Sequence, residues 1–171
     1  MRVLIKQLIR FGLSVWMLAT VNAWSTEIDS ELVKAAEKGN VALVKQILDA
    51  KTVERENLNA AFWAAIKKGN PAIVERFLQA GANINLRAEN GFTPLMQAAR
   101  DGWDQVVEML LEAQADVNAV SEKQDTALIL AAEKDRRKVI PLLLAAHANV
   151  NAKRDNGMTA LTLAAQEGYH H

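Results

Sequence analysis

Apolar positions along this chain recur as helical stripes at a fixed step. Ile73, Val74, Phe77 and Leu78 form one stripe, Val106, Val107, Leu110 and Leu111 the next, and Val139, Ile140, Leu143 and Leu144 a third, each 33 residues after the last. Their spacing is that of a helix with one buried face. Ahead of each stripe lies a shorter segment built on an alanine pair and ending in a turn. These segments are Ala35-Ala36-Glu37-Lys38-Gly39, Ala65-Ile66-Lys67-Lys68-Gly69, Ala98-Ala99-Arg100-Asp101-Gly102, Ala131-Ala132-Glu133-Lys134-Asp135 and Ala164-Ala165-Gln166-Glu167-Gly168. The turn positions 39, 69, 102, 135 and 168 advance by 30 and then by 33. Helix, turn, helix and a polar extended loop therefore repeat along the chain. Helices below about 12–15 residues are marginal alone in water, so each unit must bury its stripe against its neighbours. A constant period of this size predicts an all-α stacked solenoid and excludes a globule folded around one pocket.

The punctuation between stripes agrees. In the third unit, Gly91 suits a turn with positive φ, Thr93 can cap a helix, and Pro94 fits its first position. Gly102 can close that helix in the left-handed conformation. Asn70-Pro71 is a start signal for the second helix of its unit. Each second helix exits through a related polar stretch: Gly81-Ala82-Asn83-Ile84-Asn85, Gln114-Ala115-Asp116-Val117-Asn118 and His147-Ala148-Asn149-Val150-Asn151.

These residues closely resemble the ankyrin repeat. Thr93-Pro94-Leu95-Met96, Thr126-Ala127-Leu128-Ile129 and Thr159-Ala160-Leu161-Thr162 stand where that family has Thr-Pro-Leu-His, and the exits match its Ala-Asp-Val-Asn type. The resemblance runs over about residues 28–171 and implies antiparallel helix pairs stacked side by side, with loops projecting as hairpin-like fingers. The organisation it predicts is a leader at 1–23, an N-terminal capping repeat at 24–57, repeats at 58–90, 91–123 and 124–156, and an incomplete fifth repeat at 157–171. The first unit's helix is expected to be capped by Asp29 or Ser30. Trp63, Met96, Ile129 and Thr162 replace the family's histidine, so its buried imidazole bonds should be missing and apolar packing should substitute. Gln124 and Asp135 stand where glycine is usual, which should cost stability rather than fold. Pro141 removes a donor near the start of its helix and is expected to kink it slightly.

The N-terminus has a different character. Arg2, Lys6 and Arg10 precede an uncharged stretch from Phe11 to Ala23, with Val21-Asn22-Ala23 in the place of a signal-peptidase site. The stretch falls short of the roughly 20 apolar residues of a bilayer span. Cleavage after Ala23 is expected, hence a periplasmic or secreted protein with no membrane association after cleavage. Losing the leader would leave 17 basic against 20 acidic residues, a net charge of −3. No basic run exceeds Arg136-Arg137-Lys138, so nucleic acid is excluded as the expected partner. Cysteine is absent, and stability must come from repeat packing alone.

Catalytic constellations do not emerge. There is no cysteine nucleophile, no Gly-x-Ser-x-Gly elbow and no phosphate-cradling loop, and the expectation is that the protein is not an enzyme and carries neither cofactor nor metal. His147 lies at a helix C-terminus, where its charge would favour the dipole. His170 and His171 are adjacent and would point apart from a helix, with no third ligand near.

What remains is a binding surface. The groove should be lined by first-helix residues such as Lys67, Lys68, Gln97, Arg100, Asp101, Glu133 and Lys134, with fingers carrying Arg87, Phe92, Lys123, Asp125, Arg154 and Met158. Phe92, Asp125 and Met158 occupy one place in successive units, and varied residues on a fixed scaffold suit recognition. Trp63 is expected in the core. Trp103 follows the turn glycine where other units hold Asn40, Asn70, Arg136 and Tyr169; it reads either as an exposed interface anchor or as packing against the neighbourhood of Tyr169 or Arg136. The expected partner-binding set is Phe92, Arg100, Asp101, Trp103, Asp125, Lys134, Arg136 and Met158, presented by a monomer to a protein partner. The incomplete fifth unit leaves a second reading, the interaction part of a longer secreted effector or toxin antagonist.

Overall fold

The computed structural model describes residues 30–50 and 53–168. The leader, Asp29, Tyr169, His170 and His171 lie outside the described residues. Ser30 is already helical. Helix α1 covers 30–37, followed by α2 (Val41–Asp49), α3 (Arg55–Lys68), α4 (Pro71–Gln79), α5 (Pro94–Asp101), α6 (Asp104–Glu112), α7 (Ala127–Glu133), α8 (Val139–Ala145) and α9 (Ala160–Gln166). No strand occurs among the described residues.

The helices pile in chain order in two rows. First helices pack α3 on α5, α5 on α7 and α7 on α9, while second helices pack α2 on α4, α4 on α6 and α6 on α8. Helix α1 joins the same core through Leu32, Ala35 and Ala36. The alanine pairs explain the close first row: Ala65, Ala98, Ala99 and Ala131 have no exposed surface, so neighbouring backbones approach without a gap. The stripes behave as their spacing predicts, with Ile73, Val74, Phe77, Val107, Leu110 and Leu143 sealed in the core. Phe77 meets Phe62 within the helix pair of the second unit, their rings tilted with centroids 6.1 Å apart. Trp63 is partly buried and packed against this core.

Local signals in the sequence set the helix ends. Thr93, Thr126 and Thr159 each accept a hydrogen bond from the backbone three residues on, at Met96, Ile129 and Thr162. Asn40 and Asn70 do the same for α2 and α4. Two of the positions that replace the family's histidine complete a capping box, since Met96 Sδ and Thr162 Oγ1 accept from the Thr93 and Thr159 backbone N–H groups. Pro141 has a larger effect than a kink. Whereas α6 begins directly after Trp103, α8 begins only at Val139, after a turn at 137–138. The shift places the proline in the first helical turn, where its missing N–H would have had no intrahelical partner.

Gln114, Gln124, Asp135 and His147 all take positive φ, between 50° and 67°. Gln114 and His147 hold the place that Gly81 fills with φ of 81°, so what that place demands of His147 is a left-handed backbone. Gln124 is exposed and sits at φ 60°. Replacing it relieves about 1–2 kcal/mol of left-handed strain against about 0.5–1 kcal/mol of added freedom in the unfolded chain. Gln124→Gly should therefore raise the urea midpoint, a gain of up to about 1 kcal/mol; an unchanged or lower midpoint would show that the turn is unstrained.

The fingers are tight turns tied to one another. Gly91, Gln124 and Gly157 donate to the carbonyls of Ala88, Ser121 and Arg154 within their own fingers. Glu122 N–H reaches Asn90 O at 3.2 Å, and Asp155 N–H reaches Lys123 O at 3.1 Å, so each finger rests on the one before. A Cβ on Gly91 would lie 2.9 Å from the Glu122 nitrogen, which is why that finger needs glycine. On the exits, Asn85 Oδ1 accepts from Asp116 N–H at 3.0 Å and Asn118 Oδ1 from Asn149 N–H at 2.8 Å. The terminal asparagine of one exit thus holds the next, while Asn83, Asp116 and Asn149 brace their own turns two residues on.

Candidate protein-binding surface

Each first helix begins directly after its finger and ends at the turn into its second helix, where the residues flanking that turn are at least partly exposed. Arg100 and Asp101 stand there at the end of α5, Glu133 and Lys134 at the end of α7. Arg100 lies over the Phe92 ring, its guanidinium carbon 5.4 Å from the centroid, and its Nε donates to Asp101 at 3.4 Å. Gln97 Nε2 donates to the other Asp101 oxygen. Arg100 keeps 38 % of its side chain exposed. Lys134 is exposed and pairs with Glu133 at 3.2 Å.

Not every expected residue is available. Phe92 and Asp125 are buried, and this corrects their assignment to an exposed finger surface. Phe92 is covered by Arg100 of its own unit. Asp125 is closed off by the next finger: Arg154 donates to it and to Glu133 together, and the Ser121 hydroxyl donates to its second oxygen at 3.3 Å. Met158 is less enclosed, partly buried against the core, because no finger follows it among the described residues. Burial opposes the charge of Arg154, but its hydrogen bonds to Glu133 and Asp125 outweigh that and raise its pKa. The same Arg154 hydrogen bond holds the Glu133 carboxyl below its ordinary value.

Trp103 and Arg136 belong together. The indole lies on Gly69 of the preceding unit, where an added Cβ would come within 2.2 Å of the ring. Arg136 lies likewise on Gly102, its Nε donating to the Arg100 carbonyl at 2.8 Å. Trp103 is 37 % exposed, and the seat of its indole is Gly69 of the preceding unit, which neither expectation named. The position after the turn varies because it seals the turn before it. The sequence carries little sign of this seat, because it joins position 103 to position 69, one residue off the 33-residue step.

Among the described residues no group of three or more histidines and carboxylates could hold a metal, and no helix is long and apolar enough to cross a membrane. The surface offers charge, one rigid aromatic and a repeating frame. A family model for ankyrin repeats matches residues 32–121 and again 118–171. The chain belongs to the ankyrin-repeat family. A comparison with curated proteins finds no match. Ankyrin repeats generally mediate protein–protein interaction and are typically without catalysis.

Proposed function

We propose that this ankyrin-repeat chain is an exported adaptor, periplasmic or secreted, that binds a protein partner as a monomer through its inner face and performs no chemistry itself. The observation that carries the reading is the pair of charged, at least partly exposed side chains at the ends of two successive first helices, Arg100 with Asp101 and then Glu133 with Lys134. Fingers tied by backbone hydrogen bonds lose little conformational freedom on binding. Export is supported by the basic N-terminus, the uncharged stretch to Ala23 and the small residues at its end.

Site-specific photo-cross-linking tests it in the native compartment. A cross-linker at Arg100 or Lys134 should capture a protein, and one at Glu75 or Glu108, both exposed on the second helices, should not. Capture from the second helices alone would overturn the assignment of the inner face. Retention of the full-length chain in the cytoplasmic fraction would overturn export.

A further inference from the structure

The lower edge of the inner face, where first helices turn into second helices, has an unbalanced charge. Its carboxylates are mostly engaged within the protein. Asp101 is held by Arg100 and Gln97, Glu133 by Lys134 and Arg154, Asp135 by Arg137 at 2.9 Å, and Asp104 faces Lys138 at 3.8 Å. Arg100, Lys134, Arg137 and Lys138 are taken up in those pairs, but four further cations are not. Lys38, Lys67 and Lys68 are exposed and make no ion pair among the described residues, and Arg136 uses Nε alone. Glu37 is the exposed acid beside them. The chain as a whole carries 20 basic and 20 acidic residues, so this excess is local.

Geometry makes the strip continuous. Lys67 and Lys68 run directly into Gly69, Gly69 lies beneath the Trp103 ring, and Gly102, preceding that tryptophan, lies beneath Arg136. Two lysines, an indole and a guanidinium therefore follow one another across the second, third and fourth units. The indole is pinned by its glycine seat yet more than a third exposed, so it can supply contact area without losing rotamer freedom. Tryptophan and arginine are the side chains that most often dominate interfaces.

We infer that this strip binds an acidic segment of a protein partner, with carboxylates against Lys67, Lys68 and Arg136 and an apolar side chain on the open part of Trp103. This rests on the protein-binding reading above and names the chemistry of the partner. A dense phosphate backbone fits less well, because the strip sets only Lys67, Lys68 and Arg136 against it over three units, with Glu37 and Asp104 at its border.

The test is titration of the full chain with a synthetic peptide of repeating Glu-Glu-Leu, its Lys-Lys-Leu counterpart and single-stranded oligothymidylate. The acidic peptide should bind, and binding should disappear between about 0.01 M and 1 M salt, where the screening length falls from about 30 Å to about 3 Å. Trp103→Ala should weaken it about tenfold. Lys67→Glu with Lys68→Glu should weaken it at least about tenfold by like-charge repulsion; Lys67→Gln with Lys68→Gln serves the same purpose should the reversal unsettle the end of α3. Equal binding of the lysine peptide, tighter binding of the oligonucleotide, or an affinity unmoved by either lysine pair would overturn the inference. A partner that still cross-links at Arg100 when the acidic peptide fails to bind would overturn the acidic specificity alone.

Discussion

Gly69→Ala should cost about 3 kcal/mol, whereas the same substitution at Gly81 should cost about 1 kcal/mol, although both glycines are left-handed. The backbone term is common to the two, with φ of 64° and 81°. What differs is the space. Nothing lies within 4 Å of a Cβ on Gly81, but one on Gly69 would stand 2.2 Å, 2.4 Å and 2.6 Å from three indole carbons of Trp103. These are the inner atoms of a ring, which cannot bend away as the end of a long chain could. The indole must leave its seat, losing contact with the second unit as it does so. Gly102→Ala should fall between the two, because the atom it meets at 2.8 Å is Cδ of Arg136, part of a flexible side chain. Urea unfolding of the three variants checks the order. Trp103→Ala should cancel the excess: in that background Gly69→Ala should cost only the backbone strain of about 1–2 kcal/mol. Equal costs at Gly69 and Gly81 in the intact protein would show that the indole is not seated on the turn.

This pairing also marks what the sequence conveys about such a fold. The units, their order and most helix ends are legible, because the 33-residue step repeats the same local chemistry: threonine caps, alanine pairs, a left-handed turn. Even the departures keep to the plan, with Gln124 and Asp135 adopting the positive φ that glycine would have taken. Surface assignments are less legible, since exposure here depends on the adjacent unit. Phe92, Asp125 and Met158 hold equivalent positions, yet the first is covered by an arginine of its own unit, the second by an arginine of the next finger, and the third lies more open. The unit itself does not say which. Asparagines of the exits pose the same difficulty: Asn85 and Asn118 read as polar loop residues, and their bonds to Asp116 and Asn149 exist only once the units are stacked.

Asp125→Ala should cost about 3 kcal/mol, because it removes one partner of an ion pair largely withdrawn from water. Asp125 exposes 6 % of its side chain and Arg154 17 %. The guanidinium keeps Glu133, which limits the loss, while Ser121 loses the acceptor for its hydroxyl. Replacing both partners, Asp125→Leu with Arg154→Leu, should cost less than Asp125→Ala alone, since no deeply buried charge is then left stranded and the more exposed Glu133 keeps Lys134. The same cluster sets a direction in pH. The folded state holds the Glu133 carboxyl below its ordinary value of 4.5, chiefly through the hydrogen bond from Arg154, so the folded state binds a proton less readily than the unfolded chain does. Its contribution is therefore complete above 4.5 and is lost as the pH falls through the lower folded value. Thermal midpoints of the native protein should fall across that acidic window more steeply than those of Glu133→Gln, which has no carboxyl to titrate there. Parallel profiles for the two proteins would mean that Arg154 does not hold Glu133 in solution. The consequence would reach the inner face, where Glu133 joins the finger that carries Arg154 to the helix that presents Lys134.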